Sequence, residues 1–346
     1  MEKKREQRNL TLRIADQETA RVVAIQNDKG HTFGAGCLIS SKKVMTCKHV
    51  VQDALGKNLR LKKQVSTMAI QLIGVTGNPS CVGKVIDFPS GKGPENDLCL
   101  LEIEQLEGRL RIEPVEFITT LRHGQKSFSV LGFRTPDPLG RNAVGRLHAA
   151  DARGLIQMDC EGALPVSGGY SGAPVWSSDL GAFIGLVRSE ISEESVAWCI
   201  PSNLIARFYS RLIVRFCIPL ADRPLIHDYR EDDPNVQLFG RVSRNDTRRL
   251  RAKVRKARGQ YRVDLEYHVL DGNETCRGRY VTFVTHPSFT RESEDAYELF
   301  SRLKSGVAKT HFWCMESFTV AAIADAGDTA LTVDLSRIRG RPKGFK

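Results

Sequence analysis

Three residues that could supply a nucleophile, a base and an orienting acid lie beside apolar, strand-like runs. His49 follows one such run, Asp97 opens another, and Ser171 lies in the glycine-rich stretch 168–175. A serine hydroxyl is a weak nucleophile at neutral pH, so it needs a base within hydrogen-bond distance and a third group that orients the base. We predict that Ser171 attacks an acyl carbonyl, that His49 takes its proton and that Asp97 orients His49.

The same glycine-rich stretch could stabilise the oxyanion that such an attack creates. Glycine at 169 lets the backbone turn, so that the N–H groups of Gly169 and Ser171 can point at one oxygen. Each triad residue also has a structural explanation, because a lone histidine such as His49 usually packs in the fold and an aspartate such as Asp97 is usually a turn residue. Packing alone does not require all three groups in such contexts, so we favour a catalytic site.

The order histidine, aspartate, serine and the sequences around these residues resemble the trypsin-like serine proteases, most closely the bacterial HtrA-like group. The resemblance covers roughly residues 20–216. Segments 124–133, 185–187 and 196–203 are similar to strands of that family's second barrel. The resemblance therefore has more anchors than the serine motif alone, and it implies a serine endopeptidase that works through an acyl-enzyme without a metal or cofactor.

The resemblance also implies the fold class, which is all-β. We expect a protease domain at 20–217 made of two chymotrypsin-like β-barrels, at about 20–115 and 117–200, closed by a helix at 202–216. Short β-branched runs between glycine and proline turns agree with barrels. The helix is predicted from an apolar stripe with a helical period: Ile205, Phe208, Leu212 and Phe216.

Five positions bear on activation and substrate choice in a protein of this kind. Tyr170 stands where secreted trypsins have the aspartate that pairs with a newly freed N-terminus, so that activation route is not expected. Pro165 stands at the position that sets the base of the trypsin specificity pocket, so a preference for arginine or lysine is not expected. We predict that Val187, Arg188 and Ser189 form the substrate-facing strand edge and that a small or medium apolar residue precedes the cleaved bond.

The last third of the chain has a second pattern of short strands, which favours an immunoglobulin-like β-sandwich. In the segment 249–255, basic residues alternate with small or apolar ones, so one face of that strand would be buried and the other strongly positive. Segments 278–289, 316–320 and 331–335 resemble the YEATS family, especially its prokaryotic branch. This resemblance covers roughly residues 237–338.

The YEATS resemblance implies a ligand site, because members that bind acylated lysine use a His-x-Ser-Phe segment and a later aromatic residue. His286, Ser288 and Phe289 match that segment. Cysteine and methionine stand where the later glycine and aromatic are expected, with Trp313 adjacent. Two interpretations follow: an acyl-lysine or other ligand site, or packing residues in a sandwich that serves as a sensor or adaptor.

Polar segments are predicted between the two domains and at both ends of the chain. We predict an N-terminal arm at 1–19, a linker at 218–236 that is rich in proline and acidic residues, and a basic tail at 339–346. The tail resembles an AT-hook, which lies in an A·T minor groove; nonspecific attraction to phosphate is the alternative. The residues concerned are Arg339, Gly340, Arg341, Pro342 and Lys343.

Composition sets the expected cellular setting. The 346 residues carry a net charge of +11, which suggests an acidic partner such as nucleic acid. The nine cysteines include no CxxC pair, and the N-terminus has no apolar signal segment, so we expect reduced thiols in a cytoplasmic protein without a membrane span. Our hypothesis is a bacterial peptidase that the C-terminal domain regulates or targets, in a defence or conflict system. The alternative is a non-catalytic DNA- or partner-binding adaptor with the protease fold as scaffold.

Overall fold

The chain divides into two compact units. The structure, a computed structural model, describes residues 21–56, 66–73, 78–91, 93–104, 114–134, 137, 139–161, 165–189, 197–219, 222–223, 233–257, 259–272, 276–289 and 297–345. The first unit comprises Met1–Val115 and His123–Phe208, and the second comprises Glu116–Arg122 and Tyr209–Lys346. Among the described residues, no helix is long and apolar enough to cross a membrane.

The first unit begins with a closed six-stranded antiparallel barrel in the order β1-β2-β3-β6-β5-β4. Its interior is filled by alternating apolar side chains, among them Val23, Leu38 and Ile70, which are fully buried. Helix α1 (Lys48–Leu55) follows β3, and a 3₁₀ turn (Pro94–Asp97) precedes β6. The strands are β1 (Val22–Gln26), β2 (Thr32–Ser40), β3 (Lys43–Cys47), β4 (Thr67–Leu72), β5 (Ser80–Asp87) and β6 (Leu98–Ile103).

A second ring of six strands completes the first unit. Hydrogen bonding runs β11-β8-β9-β10-β13-β12, and an additional pairing of β11 with β12 closes the ring. The predicted all-β class and the two barrels are confirmed, with the second ring beginning at Ser127 rather than near Phe117. Its strands are β8 (Ser127–Gly132), β9 (Arg141–Ala150), β10 (Ile156–Glu161), β11 (Pro174–Ser177), β12 (Ala182–Ser189) and β13 (Ala197–Pro201).

The predicted helix at 202–216 is wrong in extent. Helix α2 covers only Ser202–Phe208, and Ile213–Phe216 forms strand β14 in the second unit. Val214 and Phe216 are buried while their neighbours are partly exposed, which is the two-residue period of a strand. The apolar positions of this segment fit both periods, and parallel pairing of β14 with β7 (Glu116–Thr119) selects the strand.

The rest of the second unit is built from two antiparallel sheets that share one apolar core. One sheet has the order β15-β16-β19 and the other β18-β17-β20-β21. Leu265 and Phe312 of the first sheet are buried with Phe283 and Val320 of the second, so the sheets pack face to face. The strands are β15 (Arg248–Ala257), β16 (Gln260–Val269), β17 (Tyr280–Val284), β18 (Glu298–Arg302), β19 (Val307–Cys314), β20 (Thr319–Ala324) and β21 (Thr329–Asp334).

Both ends of this sandwich differ from the sequence prediction. Helix α3 (Pro234–Phe239) begins in the last three residues of the predicted linker, and buried Asn235 donates hydrogen bonds through Nδ2 to the carbonyls of Val284, Thr285 and Thr319. Residues 224–232 of that linker, and the N-terminal arm, lie outside the described residues. The linker therefore ends in an anchored helix.

The basic tail is folded onto the sandwich. Phe345 is only 2% exposed and its ring centroid lies 4.7 Å from that of Tyr261. The amide of Arg341 donates to the carbonyl of Ile338 at 3.4 Å, and Gly340 has a positive φ of 76°, so the Arg-Gly-Arg segment turns. Burial of Phe345 holds the basic segment in turns against the sandwich, and nucleic-acid binding by the tail stays a prediction.

Candidate active site

Strand pairing brings His49 and Asp97 together. His49 is the second residue of α1, just after β3, and Asp97 is the last residue before β6. In the β3–β6 ladder Cys47 is paired with Leu98, so the ends that carry the two residues are neighbours. Nδ1 of His49 lies 3.0 and 2.9 Å from the two carboxylate oxygens of Asp97, and the amide of His49 donates to Asp97 at 3.2 Å. Asp97 therefore fixes both the ring and the backbone of His49.

Asp97 has a second partner from another strand. Nε of Arg188, in β12, donates to Oδ2 of Asp97 at 3.0 Å. Burial by itself raises the pKa of the Asp97 carboxyl, but hydrogen bonds from His49 and the nearby positive charge of Arg188 lower it by more, so its pKa lies below the ordinary value of 3.8. Asp97 is therefore held as a carboxylate at neutral pH.

Ser171 follows a tight turn that only glycine can make without strain. The amide of Tyr170 donates to the carbonyl of Ser167 at 3.2 Å, and Gly169 has a φ of 95°. A positive φ at the third residue of a hydrogen-bonded four-residue turn is the type II arrangement. A Cβ at Gly169 would lie 2.3 Å from the carbonyl oxygen of Phe133, so this position has no room for a side chain.

Two glycines let the Ser171 turn approach α1. A Cβ at Gly34 would lie 2.7 Å from Val50, the residue after His49, and 2.9 Å from the carbonyl oxygen of Ser171. The amide of Ala35 donates to that carbonyl at 2.8 Å. A Cβ at Gly172 would lie 2.1 Å from the carbonyl oxygen of Ala35. The serine turn is therefore tied to β2, next to the start of α1, where His49 lies.

The part of the chain that contains the candidate triad matches a known protein family. Residues 34–186 match the model of the trypsin-like peptidase domain. They contain His49, Asp97 and Ser171, and we call them the peptidase domain. No curated protein sequence matches the chain.

Three solved structures are similar to part of the chain, and two of them are named as proteases. The serine endoprotease from Yersinia pestis is 18% identical with a TM-score of 0.41, and the match covers 55% of this chain and 61% of that one, less than two thirds of its length. The inactive form of Rv3671c protease is 16% identical with a TM-score of 0.41, covering 56% of this chain and 90% of that one. Deg5 is 23% identical with a TM-score of 0.41, covering 55% and 87%.

One of the three residues predicted to face substrate in the peptidase domain does not do so in the structure. The side chain of Val187 is fully buried, its amide donates to Ala173, and its carbonyl accepts from the amide of Gly172 at 2.8 Å and from Sγ of Cys47 at 3.3 Å. The prediction that Val187 faces substrate is wrong, because its side chain and both backbone groups are used inside the fold. Val187 instead ties the residue after Ser171 to the residue two before His49.

The other predicted substrate positions lie around the same strand. Arg188 contacts Asp97, as described above, and the backbone of Ser189 continues β12 opposite Ala197. Pro165 is partly buried and precedes the buried Val166. Residues 162–164 and 190–196, which flank these positions in sequence, lie outside the described residues.

One set of side chains in the described residues has the composition of a metal site. Ligand atoms of Cys47, His49 and Asp97 all lie within 4.8 Å of one another. Burial, and then the charge of Asp97, raises the pKa of the Cys47 thiol well above its ordinary value. A protonated thiol that donates to Val187 is a poor metal ligand, so this set serves a proton-transfer site better than a metal site.

In the second unit, the four residues of the predicted ligand site line one cavity of about 370 Å³. Nδ1 of His286 lies 2.8 Å from Oγ of Ser288, and burial lowers the pKa of His286, with Asp233 opposing. The ring centroid of Phe318 lies 5.4 Å from that of His286. Phe289 and Trp313 also line this cavity. The sequence analysis missed Phe318, which the fold adds as a third ring.

Sequence reasoning also did not place Arg188 and Cys47 next to His49 and Asp97 in the candidate site. Arg188 was assigned to the substrate edge, and nothing in the local sequence around it indicates a contact with Asp97, which lies 91 residues earlier. Cys47 is two residues before His49, which is the only signal that could have drawn attention to it.

Proposed function

We propose that the chain is a serine endopeptidase that uses His49, Asp97 and Ser171. The observation that carries this proposal is that Asp97 accepts hydrogen bonds from both Nδ1 and the backbone amide of His49. An acceptor at Nδ1 keeps the proton on that nitrogen, so Nε2 is left as the base. A histidine with only a packing role would not need two hydrogen bonds to one carboxylate at a position next to the glycine-rich turn that carries Ser171.

The reaction follows from these roles. His49 takes the hydroxyl proton of Ser171 through Nε2 as the oxygen attacks a peptide carbonyl, and Asp97 stabilises the imidazolium that forms. The amides of Gly169 and Ser171 stabilise the oxyanion. His49 then gives its proton to the leaving amine, and water releases the acyl group from Ser171 by the same steps. We further propose that the residue before the cleaved bond is small or medium-sized and apolar.

The nucleophile can be tested by labelling the full chain with a fluorophosphonate probe. Wild-type protein should label, with or without added peptide or nucleic acid, and Ser171→Ala should not. Ser167→Ala is the matched control, because the Ser167 hydroxyl is buried without a hydrogen-bond partner in the described part of the chain. Labelling of Ser171→Ala would contradict the assignment of Ser171 as the nucleophile. Absence of wild-type labelling under every condition would contradict the proposal and favour the adaptor.

We also propose that the C-terminal sandwich senses a ligand and thereby regulates or targets the peptidase. The cavity lined by His286, Phe289, Trp313 and Phe318 supports this, since three rings can enclose a flat amide. Acylated lysine is the first ligand to test, by calorimetry with acetyl-lysine and crotonyl-lysine peptides on the Ser171→Ala chain. Trp313→Ala should abolish binding, whereas Phe300→Ala, a partly exposed ring outside the cavity lining, should not.

The cellular role that we propose is a cytoplasmic one in bacterial defence. None of the nine cysteines, all within the described residues, forms a disulfide, which agrees with a reducing compartment. Phage should form fewer plaques on bacteria that carry the wild-type chain than on bacteria that carry Ser171→Ala. Equal plating over a broad phage panel would count against the defence role while leaving the peptidase proposal standing.

A further inference from the structure

The outer surface of the β15-β16-β19 sheet is strongly basic. Register pairs Arg251 with Glu266 and Lys253 with Asp264, and Glu266 and Asp264 in turn with Lys309 and His311, so these side chains share one face. Six cationic side chains and two carboxylates lie there, an excess of four positive charges. We call this surface the basic face; its cationic residues are Arg249, Arg251, Lys253, Arg255, Arg262 and Lys309.

The carboxylates of the basic face are already used by part of its cations. Asp264 contacts Arg262 at 2.9 Å and Arg255 at 3.5 Å, and Glu266 contacts Lys309 at 2.7 Å. Arg251 and Lys253 are exposed and form no ion pair with any described residue. Arg251 and Lys253 are neighbours of like charge, and their mutual repulsion lowers the stability of the folded chain. Because an anionic ligand would remove this repulsion, their positions suit the binding of an anion.

The shape of the basic face indicates which anion fits. Arg249 to Arg255 spans about 20 Å at the rise of a strand, with a cation every second residue, about 7 Å apart. The face contains a groove of about 580 Å³ lined by Arg251, Lys253 and Arg262. Half-buried Trp313 lies opposite Arg262, beyond the lining of this groove and at the rim of the cavity that contains His286, and a base could stack on its ring there. A row of charges along a groove with an aromatic ring at its end is the pattern that binds single-stranded nucleic acid.

We propose that the basic face binds single-stranded nucleic acid along its phosphate backbone. The side chains of Arg249, Arg251, Lys253 and Arg255 contact successive phosphates, and Trp313 stacks on a base. This site is separate from the turned tail at 339–345, and it does not depend on catalysis by Ser171.

Fluorescence anisotropy of the full chain with Ser171→Ala tests the proposal. The probe is a labelled mixed-sequence strand of about 20 nucleotides, which covers the face. Four released counterions on a single strand should lower the affinity about 50-fold between about 50 and about 200 mM salt. The double variant Arg251→Glu, Lys253→Glu should bind at least about 30-fold more weakly. The matched control Arg339→Glu, Lys343→Glu changes the net charge equally on exposed tail positions, and should lose less than about threefold.

Several outcomes would overturn the proposal. The first two are absence of binding by the parent chain and a larger loss of affinity in the tail variant than in the basic-face variant. The third is tighter binding of the same sequence as a duplex. The fourth is displacement of the labelled strand by polyglutamate as effectively as by unlabelled strand, which would indicate that the ligand is an acidic protein. Circular dichroism of both variants shows whether they fold; if the basic-face variant does not, Arg251→Gln, Lys253→Gln replaces it and should lose about tenfold.

Discussion

Nε of Arg188 lies 3.0 Å from Oδ2 of Asp97, so one carboxylate serves both a guanidinium and the imidazole of His49. The arrangement fixes the rotation of the carboxylate, and it also places a positive charge close to where the imidazolium forms. Arg188 therefore helps to position the base. It acts through Asp97 as a positioning residue.

Replacing Arg188 with glutamine should lower kcat for peptide cleavage by about tenfold and leave KM nearly unchanged. The reason is that the carboxylate of Asp97 loses the guanidinium that fixes its rotation, so it orients His49 less well. Arg188→Lys keeps a positively charged donor and should lose less activity. If KM rises and kcat does not fall, Arg188 contacts substrate instead, as the sequence first suggested.

Replacing Gly172 with alanine should disrupt the serine turn. Gly172 has a φ of 85°, and a Cβ there would lie 2.1 Å from the carbonyl oxygen of Ala35 and 2.3 Å from Oγ1 of Thr46. Backbone strain and overpacking together should cost about 3 kcal/mol of unfolding free energy and remove probe labelling. Urea unfolding measures the first effect. Gly168→Ala is the matched control, since a Cβ there meets nothing within 4 Å, and it should change stability by less than about 0.5 kcal/mol. Equal effects in the two variants would contradict the structure of the turn.

His123 should make the first unit less stable in mild acid. Burial, with a smaller contribution from Lys126, lowers the pKa of His123 to about 4 from 6.5. The unfolded chain takes up this proton as the pH falls through about 6.5, whereas the folded chain does not until about 4, so stability is lost across that window. Between about pH 7.5 and about pH 5 the wild type should lose at most about 2 kcal/mol more than His123→Leu. Unfolding curves at both pH values, on the Ser171→Ala background, provide the measurement; parallel losses would show that His123 does not titrate differently on folding.

The sequence alone was sufficient for features that depend on local composition. Residue type and sequence context grouped His49, Asp97 and Ser171 in one prediction, because chemistry restricts which side chains can act as nucleophile and base. The structure brings His49 and Asp97 together, and the catalytic role of the three residues stays a prediction. The resemblance implied the all-β class, and short β-branched runs between turns agreed with it. The alternating segment 249–255 likewise predicted a strand with one buried and one basic face, and β15 has that pattern.

Other features required the tertiary structure, because they join residues that are distant in sequence. The apolar positions of 202–216 fit a helix as well as a strand, and pairing with β7 decided the strand Ile213–Phe216. Arg188 meets Asp97 because separate strands bring them together, and Val187 is buried because its backbone is already bonded. The tail composition predicted a basic segment at 339–346, and only the structure shows that contact of Phe345 with Tyr261 folds it onto the sandwich. Short-range pattern sets what a segment can form; burial and hydrogen bonding with distant segments select among these options.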